Sequence, residues 1–253
     1  MSLIVSLSAT KSYPPTFSLN NMPNLQRSPD GTLILTLTLP WTEIKKEYEH
    51  QIHLAVDSAE LPGFRKGKAP RDLVEPKLDK NQLYSKSVEA LLPSVYSTAL
   101  KSSNLKPILY PRIKIIKGEL NSDWLFEAIT CGAPPVTLGN YQNQAKDIKT
   151  DKPEDRLPAI LKLLLDSSQV TLPQILVEEE VNHRLANLTD NLTKLGMTVD
   201  AYLSAKKTTP EGLKAIHTSE ATADLTMEFI LQEIGQQQKL SERTQVLDFL
   251  KTL

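Results

Sequence analysis

The residues best suited to chemistry are the eight of Gly63-Phe-Arg-Lys-Gly-Lys-Ala-Pro70. A glycine-bounded run of cations resembles a phosphate cradle, in which backbone N–H groups and a lysine hold an anion. The spacing is not that of a P-loop. Three residues separate the glycines where four are required, and Ala69 stands where a Ser or Thr would hold Mg²⁺. The run also follows a helical pattern rather than a strand, which excludes an NTPase. A different chemistry fits better. Phe64 is a large apolar side chain beside Arg65 and Lys66, and no core stripe claims it. An apolar anchor that fills a pocket, joined to cations that find phosphate or carboxylate, makes a recognition tip. The bland alternative is open on composition alone: Phe64 folds back onto its own domain and the cations are merely solvated.

No other group of residues assembles a reaction. His50 and His53 lie about one helical turn apart near Glu47 and Glu49, but no third ligand cluster stands at a recognised spacing. They read as a solvated helix face. His183 and His217 are isolated, Cys131 has no motif around it, and no Gly-x-Ser-x-Gly elbow occurs. Glu178-Glu179-Glu180 suits the positive end of a helix dipole. No catalytic residue, cofactor site or metal site is expected.

The elements that must hold the loop can be read from hydrophobic periodicity. Ser28-Pro-Asp-Gly31 is a turn sequence, and Leu33, Leu35, Leu37 and Leu39 alternate with polar residues as a half-buried strand over 32–39. Pro40 suits the start of a helix whose face is Trp41, Ile44, Tyr48, Ile52 and Ala55. The loop 61–70 interrupts it. A short helix over 71–75 and a longer one over about 81–102 follow, the latter with a stripe of Leu83, Val88, Leu91, Val95 and Ala99 and a kink expected at Pro93. Two strands, 112–117 and 123–130, then form a hairpin. Strand, helices and hairpin in that order predict an α+β unit over 25–141, after an N-terminal extension 1–24.

Beyond a polar candidate linker at 142–158, the pattern is helical to 253. A helix is expected over 159–166. The strongest runs over 174–195 with a stripe of Val177, Val181, Leu185, Leu188, Leu192 and Leu195, closed by Gly196 as its C′ residue. Segments 198–205, 210–217 and 221–237 predict further helices.

Composition narrows the function classes. The 253 residues carry 29 Lys and Arg against 30 Asp and Glu, a net charge of −1 that excludes a globally basic nucleic-acid protein. The balance is uneven: residues 25–145 hold 15 basic and 13 acidic side chains, residues 146–253 hold 13 and 17. Arg65, Lys66, Lys68, Arg71, Lys77, Lys80 and Lys86 face only Asp72, Glu75 and Asp79, a local excess that can dock on a phosphate-rich surface. A single cysteine excludes an intramolecular disulfide and a Cys-based zinc site, and suits a reducing compartment. No apolar stretch approaches the length of a membrane span. The apolar run at the N-terminus is short and no basic residue precedes it, so a cytoplasmic protein is expected rather than an exported one.

At Gly63–Pro70 the residues resemble the signature of the trigger factor family, the ATP-independent bacterial chaperones of the ribosomal exit tunnel. The similarity continues at Leu105-Lys-Pro-Ile108 and Pro135-Val-Thr-Leu-Gly-Asn-Tyr141. It returns at Val170-Thr-Leu-Pro-Gln-Ile-Leu-Val-Glu-Glu-Glu180, Leu195-Gly196 and 221–234, so it covers most of 25–240. The resemblance implies that Phe64, Arg65 and Lys66 are the ribosome-contacting triplet, flanked by Gly63 and Gly67 and followed by Lys68. It implies as partners a large-subunit protein with adjacent rRNA and nascent or unfolded polypeptides, with no membrane and no DNA, and leaves a homodimer open. It also implies that 159–253 is a shortened helical chaperone domain. In full-length members an FKBP-type prolyl isomerase domain sits between the two parts. Here only 142–158 separates them, so isomerase activity is expected to be absent. Three rival readings stand beside this one: a prolyl isomerase by family label, a ribosome- or RNA-binding factor without general chaperone activity, and a secreted chaperone relative if the first residues are a processed export signal.

Overall fold

The computed structural model describes residues 24–148 and 153–253. Nearly all of the expected N-terminal extension and the middle of the expected linker lie outside the described residues. The chain divides into two compact units. Among the described residues, one holds 24–27 and 33–130; the other holds 28–32, 131–148 and 153–253.

The first unit is a four-stranded sheet with helices, an α+β arrangement. Its strands β1 (Asn24–Arg27), β2 (Thr32–Leu39), β3 (Arg112–Lys117) and β4 (Trp124–Cys131) are ordered β1-β2-β4-β3. β2 shows the strict alternation of burial expected from its leucines, with Leu35 and Leu39 wholly buried. β1 was not legible, because Asn24-Leu-Gln-Arg27 has one apolar residue; it forms by antiparallel pairing with Leu33–Thr36. Helix α1 (Trp41–Ser58) buries Ile44 and Ile52, then come α2 (Arg71–Val74) and a 3₁₀ turn over Glu75–Lys77. Helix α3 (Lys80–Ser102) starts on an Asp79 side chain that accepts from the Asn81 and Gln82 N–H groups, and runs unbroken through Pro93. Phe126 and Ala128 of β4 meet the β2 leucines with Val88, Leu92, Val95, Tyr96 and Ala99 of α3. An aromatic ladder stiffens the same layer: Tyr48 stacks on Tyr84 at 4.2 Å between ring centres, and Tyr84, Trp124 and Phe126 follow at 6.3 and 6.2 Å.

The second unit is almost wholly helical. Helices α4 (Tyr141–Lys146) and α5 (Pro153–Ser167) occupy the two ends of the segment expected as a linker. Tyr141, Ala145, Ile160 and Leu164 pack with Ile230, Leu231, Ile234, Val246 and Leu250 as one core. Two short strands, β5 (Val136–Thr137) and β6 (Gln169–Val170), pair where sequence signalled only breaks. Helix α6 (Gln174–Lys194) ends as expected at Gly196, where the Met197 N–H returns to the Leu192 carbonyl. Leu195, counted in its apolar stripe, is instead 77 % exposed. After α7 (Val199–Lys206), the two helices expected at 210–217 and 221–237 are one, α8 (Pro210–Gln238). Thr218-Ser-Glu220 contains no Gly or Pro. Thr218 and Thr222 donate their hydroxyls to the carbonyls four residues back, so the backbone ladder continues. Helix α9 (Arg243–Thr252) falls in the stretch whose pattern is helical to 253, and a capping box from Glu242 and Gln245 sets its start.

The turn 28–32 belongs to this second unit. Asp30 accepts from the Thr32 N–H at 3.1 Å and from the Gln174 N–H, at the start of α6, at 3.1 Å. Burial works against its charge, but these hydrogen bonds outweigh it and hold the carboxyl below its ordinary range. The Cys131 thiol is buried, and burial pushes its pKa up to about 11.

Candidate functional site

Residues 59–70 leave the end of α1 and return into α2 through two successive turns. In the first, the Phe64 N–H donates to the Leu61 carbonyl at 3.0 Å, with Pro62 and Gly63 (φ +88°) at its centre. In the second, the Lys68 N–H donates to the Arg65 carbonyl at 2.9 Å, with Lys66 and Gly67 (φ +72°) at its centre. Each turn needs a positive φ at its third residue, which is why a glycine stands in each. The base is tied by the Gly67 N–H, which donates to the Ala59 carbonyl at 3.0 Å. Ala69 is buried beneath it.

Tandem turns put Phe64, Arg65 and Lys66 at the tip. Phe64 is 43 % exposed, so the arrangement in which it folds back into the core is not the one adopted. Lys66 Nζ lies 3.2 Å from Glu60 Oε1, a solvent-exposed pair. Arg65 and Lys68 make no ion pair among the described residues. The structure thus brings Gly63, Phe64, Arg65, Lys66, Gly67 and Lys68 together on one projecting loop. The sequence could not show that Glu60 shares Lys66.

Behind the loop, Arg71 fastens α2 to α1. Its Nε donates to Glu75 at 2.6 Å and its Nη2 to Glu49 at 2.8 Å. The bond from Arg71 holds the Glu75 carboxyl below its usual range, and both acceptors raise the guanidinium. The Glu75 contact was readable as an i, i+4 pair. The Glu49 contact was not, since the two residues are separated by the whole loop. Beside the loop base, α1 and α3 enclose a cleft of about 380 Å³ with Leu54, Leu61, Val74 and Leu83 on its walls and Lys77 and Lys86 among its lining residues.

The other sequence candidates stay apart. His50 and His53 are exposed on α1, His183 contacts Asn187, and His217 contacts Glu220. No metal-binding group of three side chains exists among the described residues, and no helix there is long and apolar enough to cross a membrane.

Comparison with known proteins gives two family matches. Residues 24–156 match the family described as bacterial trigger factor protein, and residues 139–247 match the trigger factor C-terminus. The matches overlap, so no stretch lies between them. Trigger factors of Staphylococcus aureus strains JH9 and N315 are 31 % identical over 148 residues, covering 58 % of this chain and 33 % of theirs. The matched part therefore spans about a third of the length of these relatives. A solved structure from work on promiscuous substrate recognition by the trigger factor chaperone aligns at a TM-score of 0.36 and 19 % identity, over 56 % of this chain and 34 % of that one.

Proposed function

The chain belongs to the trigger factor family, and from that premise we propose that it is an ATP-independent chaperone that docks at the ribosomal exit tunnel and shields apolar segments of nascent polypeptides. The observation that supports docking is the display of exposed Phe64 beside Arg65, and close to Lys68, on a loop held by tandem glycine turns, with neither cation in an ion pair among the described residues. Phe64 fills a pocket on a large-subunit protein, while Arg65 and Lys68 meet carboxylates or rRNA phosphates. The part over 25–141 serves docking and the part over 159–253 serves holding, with 142–158 joining them, in a cytoplasmic setting.

Holding needs no catalytic group. Apolar contact is non-directional, so one surface accepts many clients. The second unit offers Leu195, Met197 and Val199 around the α6–α7 connection and Ile216 on α8, all substantially exposed. That supports the reading.

The test is ribosome co-sedimentation of the wild-type chain and of a Phe64→Ala, Arg65→Ala, Lys66→Ala variant. Pelleting of the wild type alone is expected. Pelleting of both would move the docking site elsewhere, and pelleting of neither would leave a free chaperone. The basic run from Arg65 to Lys86 favours one rival, a ribosome-associated factor without holding activity. Failure to suppress aggregation of unrelated unfolded proteins, with pelleting intact, would establish that rival.

A further inference from the structure

Among the described residues, strand β3 is an outer strand of the first unit's sheet; β4 is its neighbour within it. Such an edge presents unpaired N–H and C=O groups and is a template for another strand. Here it lies in an unusually apolar stretch of surface: Ile108, Tyr110, Ile115, Ile116 and Leu120 are all exposed large hydrophobic side chains, between 46 % and 77 % accessible. A β-bulge limits the template. Ile115 pairs with Phe126 and Lys117 with Leu125, leaving Ile116 as the extra residue. The regular edge is therefore Arg112–Ile115.

The pattern of that edge specifies its occupant. Ile113 and Ile115 stand opposite Ala128 and Phe126, which are buried in the core, so they share the core-side face. Lys114 stands opposite Glu127 on the other face. The inner neighbour of β3 thus already presents an apolar–acidic–apolar register. A second strand of the same pattern on the outer side would repeat it, placing a carboxylate beside Lys114 and apolar side chains beside Ile113 and Ile115. A second copy of this chain fits poorly. Antiparallel pairing of Arg112-Ile-Lys-Ile-Ile-Lys117 with itself sets cations against or beside cations, which is destabilising.

We propose that the outer edge of β3 binds an extended polypeptide segment of alternating acidic and apolar residues by strand addition. The surface uses no residue of the Gly63–Lys68 loop and does not rest on ribosome docking. Main-chain hydrogen bonds supply the attachment and Lys114 supplies the selection.

The experiment titrates the full chain with fluorescein-labelled Val-Glu-Val-Glu-Val-Glu, read by fluorescence anisotropy and by amide shifts in ¹H–¹⁵N spectra. Binding is expected, with shifts concentrated on Arg112–Lys117. It should weaken at least tenfold for Val-Lys-Val-Lys-Val-Lys, for the glutamate peptide N-methylated at alternate residues, and for a Lys114→Glu variant. It should persist in the Phe64, Arg65, Lys66 triple-alanine variant. Indifference to N-methylation would overturn strand addition, and indifference to peptide charge would overturn the selection. Shifts centred elsewhere, loss of binding in the loop variant, or no binding at millimolar peptide would each overturn the proposed surface. So would sedimentation showing a dimer that Lys114→Glu strengthens or abolishes.

Discussion

Gly67 sits so close to the carbonyl oxygen of Asp57, in the last turn of α1, that a Cβ at position 67 would overlap it. The return limb of the 59–70 loop is therefore pressed against the helix that precedes it. Gly63, at the same place in the first turn, has no atom within 4 Å of where its Cβ would be. Two glycines with similar backbone angles do different things: one turns the chain in open solvent, the other also permits close packing.

That difference separates two substitutions. Gly63→Ala pays only for a left-handed residue, about 1 kcal/mol. Gly67→Ala adds a backbone overlap and is expected to cost about 2–3 kcal/mol and to shift the loop. Thermal unfolding of both variants checks the order. Ribosome co-sedimentation should fall much further for Gly67→Ala than for Gly63→Ala.

Glu60 competes with any external acceptor for Lys66. Because exposed pairs contribute roughly 0.2–1 kcal/mol, Glu60→Gln should leave stability almost unchanged. Freed from that partner, Lys66 should tighten ribosome association by up to about fivefold at low salt. The gain should shrink as salt rises, since it is electrostatic. Equal affinity of the two chains at low salt would show that Lys66 does not face the docking partner.

Asp30 links pH to stability. Its folded-state carboxyl lies below its ordinary range through the Gln174 and Thr32 hydrogen bonds. A depressed carboxyl contributes stability that is fully present above the unfolded pKa of about 3.9 and is lost as pH falls through the folded value. Asp30→Ala removes the cap and should cost about 1 kcal/mol at neutral pH. Denaturant unfolding from pH 7 to pH 2 should show the gap between wild type and variant closing only at the acid end.

The two family matches meet at 139–156, leaving no room between them for a domain. A prolyl-peptide isomerisation assay should therefore give a rate no different from the uncatalysed reaction, over tens of seconds at 25 °C. Acceleration proportional to protein concentration would assign catalysis to a part of the chain that carries no recognised constellation.

Legibility followed the strength of the local pattern. β2 and α1 were readable almost to the residue, because four alternating leucines and a 3-4-4-3 apolar face leave little choice. The loop was readable from Gly63 and Gly67, since a positive φ has few other solutions. β1, β5 and β6 were not. They are four, two and two residues long: β1 is completed by β2 across the turn at 28–31, and β5 and β6 complete each other's hydrogen bonds from distant parts of the chain. The site divides the same way. Phe64, Arg65 and Lys66 stand adjacent in sequence, whereas Glu60 on Lys66 and Glu49 on Arg71 are facts of tertiary geometry.

The single cysteine gives the chain a built-in clock. At the end of β4, Cys131 is fully buried and its thiol pKa is near 11, so at pH 7.5 only roughly one molecule in several thousand holds the reactive thiolate even when reached. Alkylation must wait for the strand end to open. Where reclosing outruns the reagent, the labelling rate counts how often that opening occurs. With no second thiol to compete, the count comes from one place in the molecule. A bound client or ribosome that quiets the opening would be seen as a slower tick, without any residue having to be introduced for the reagent.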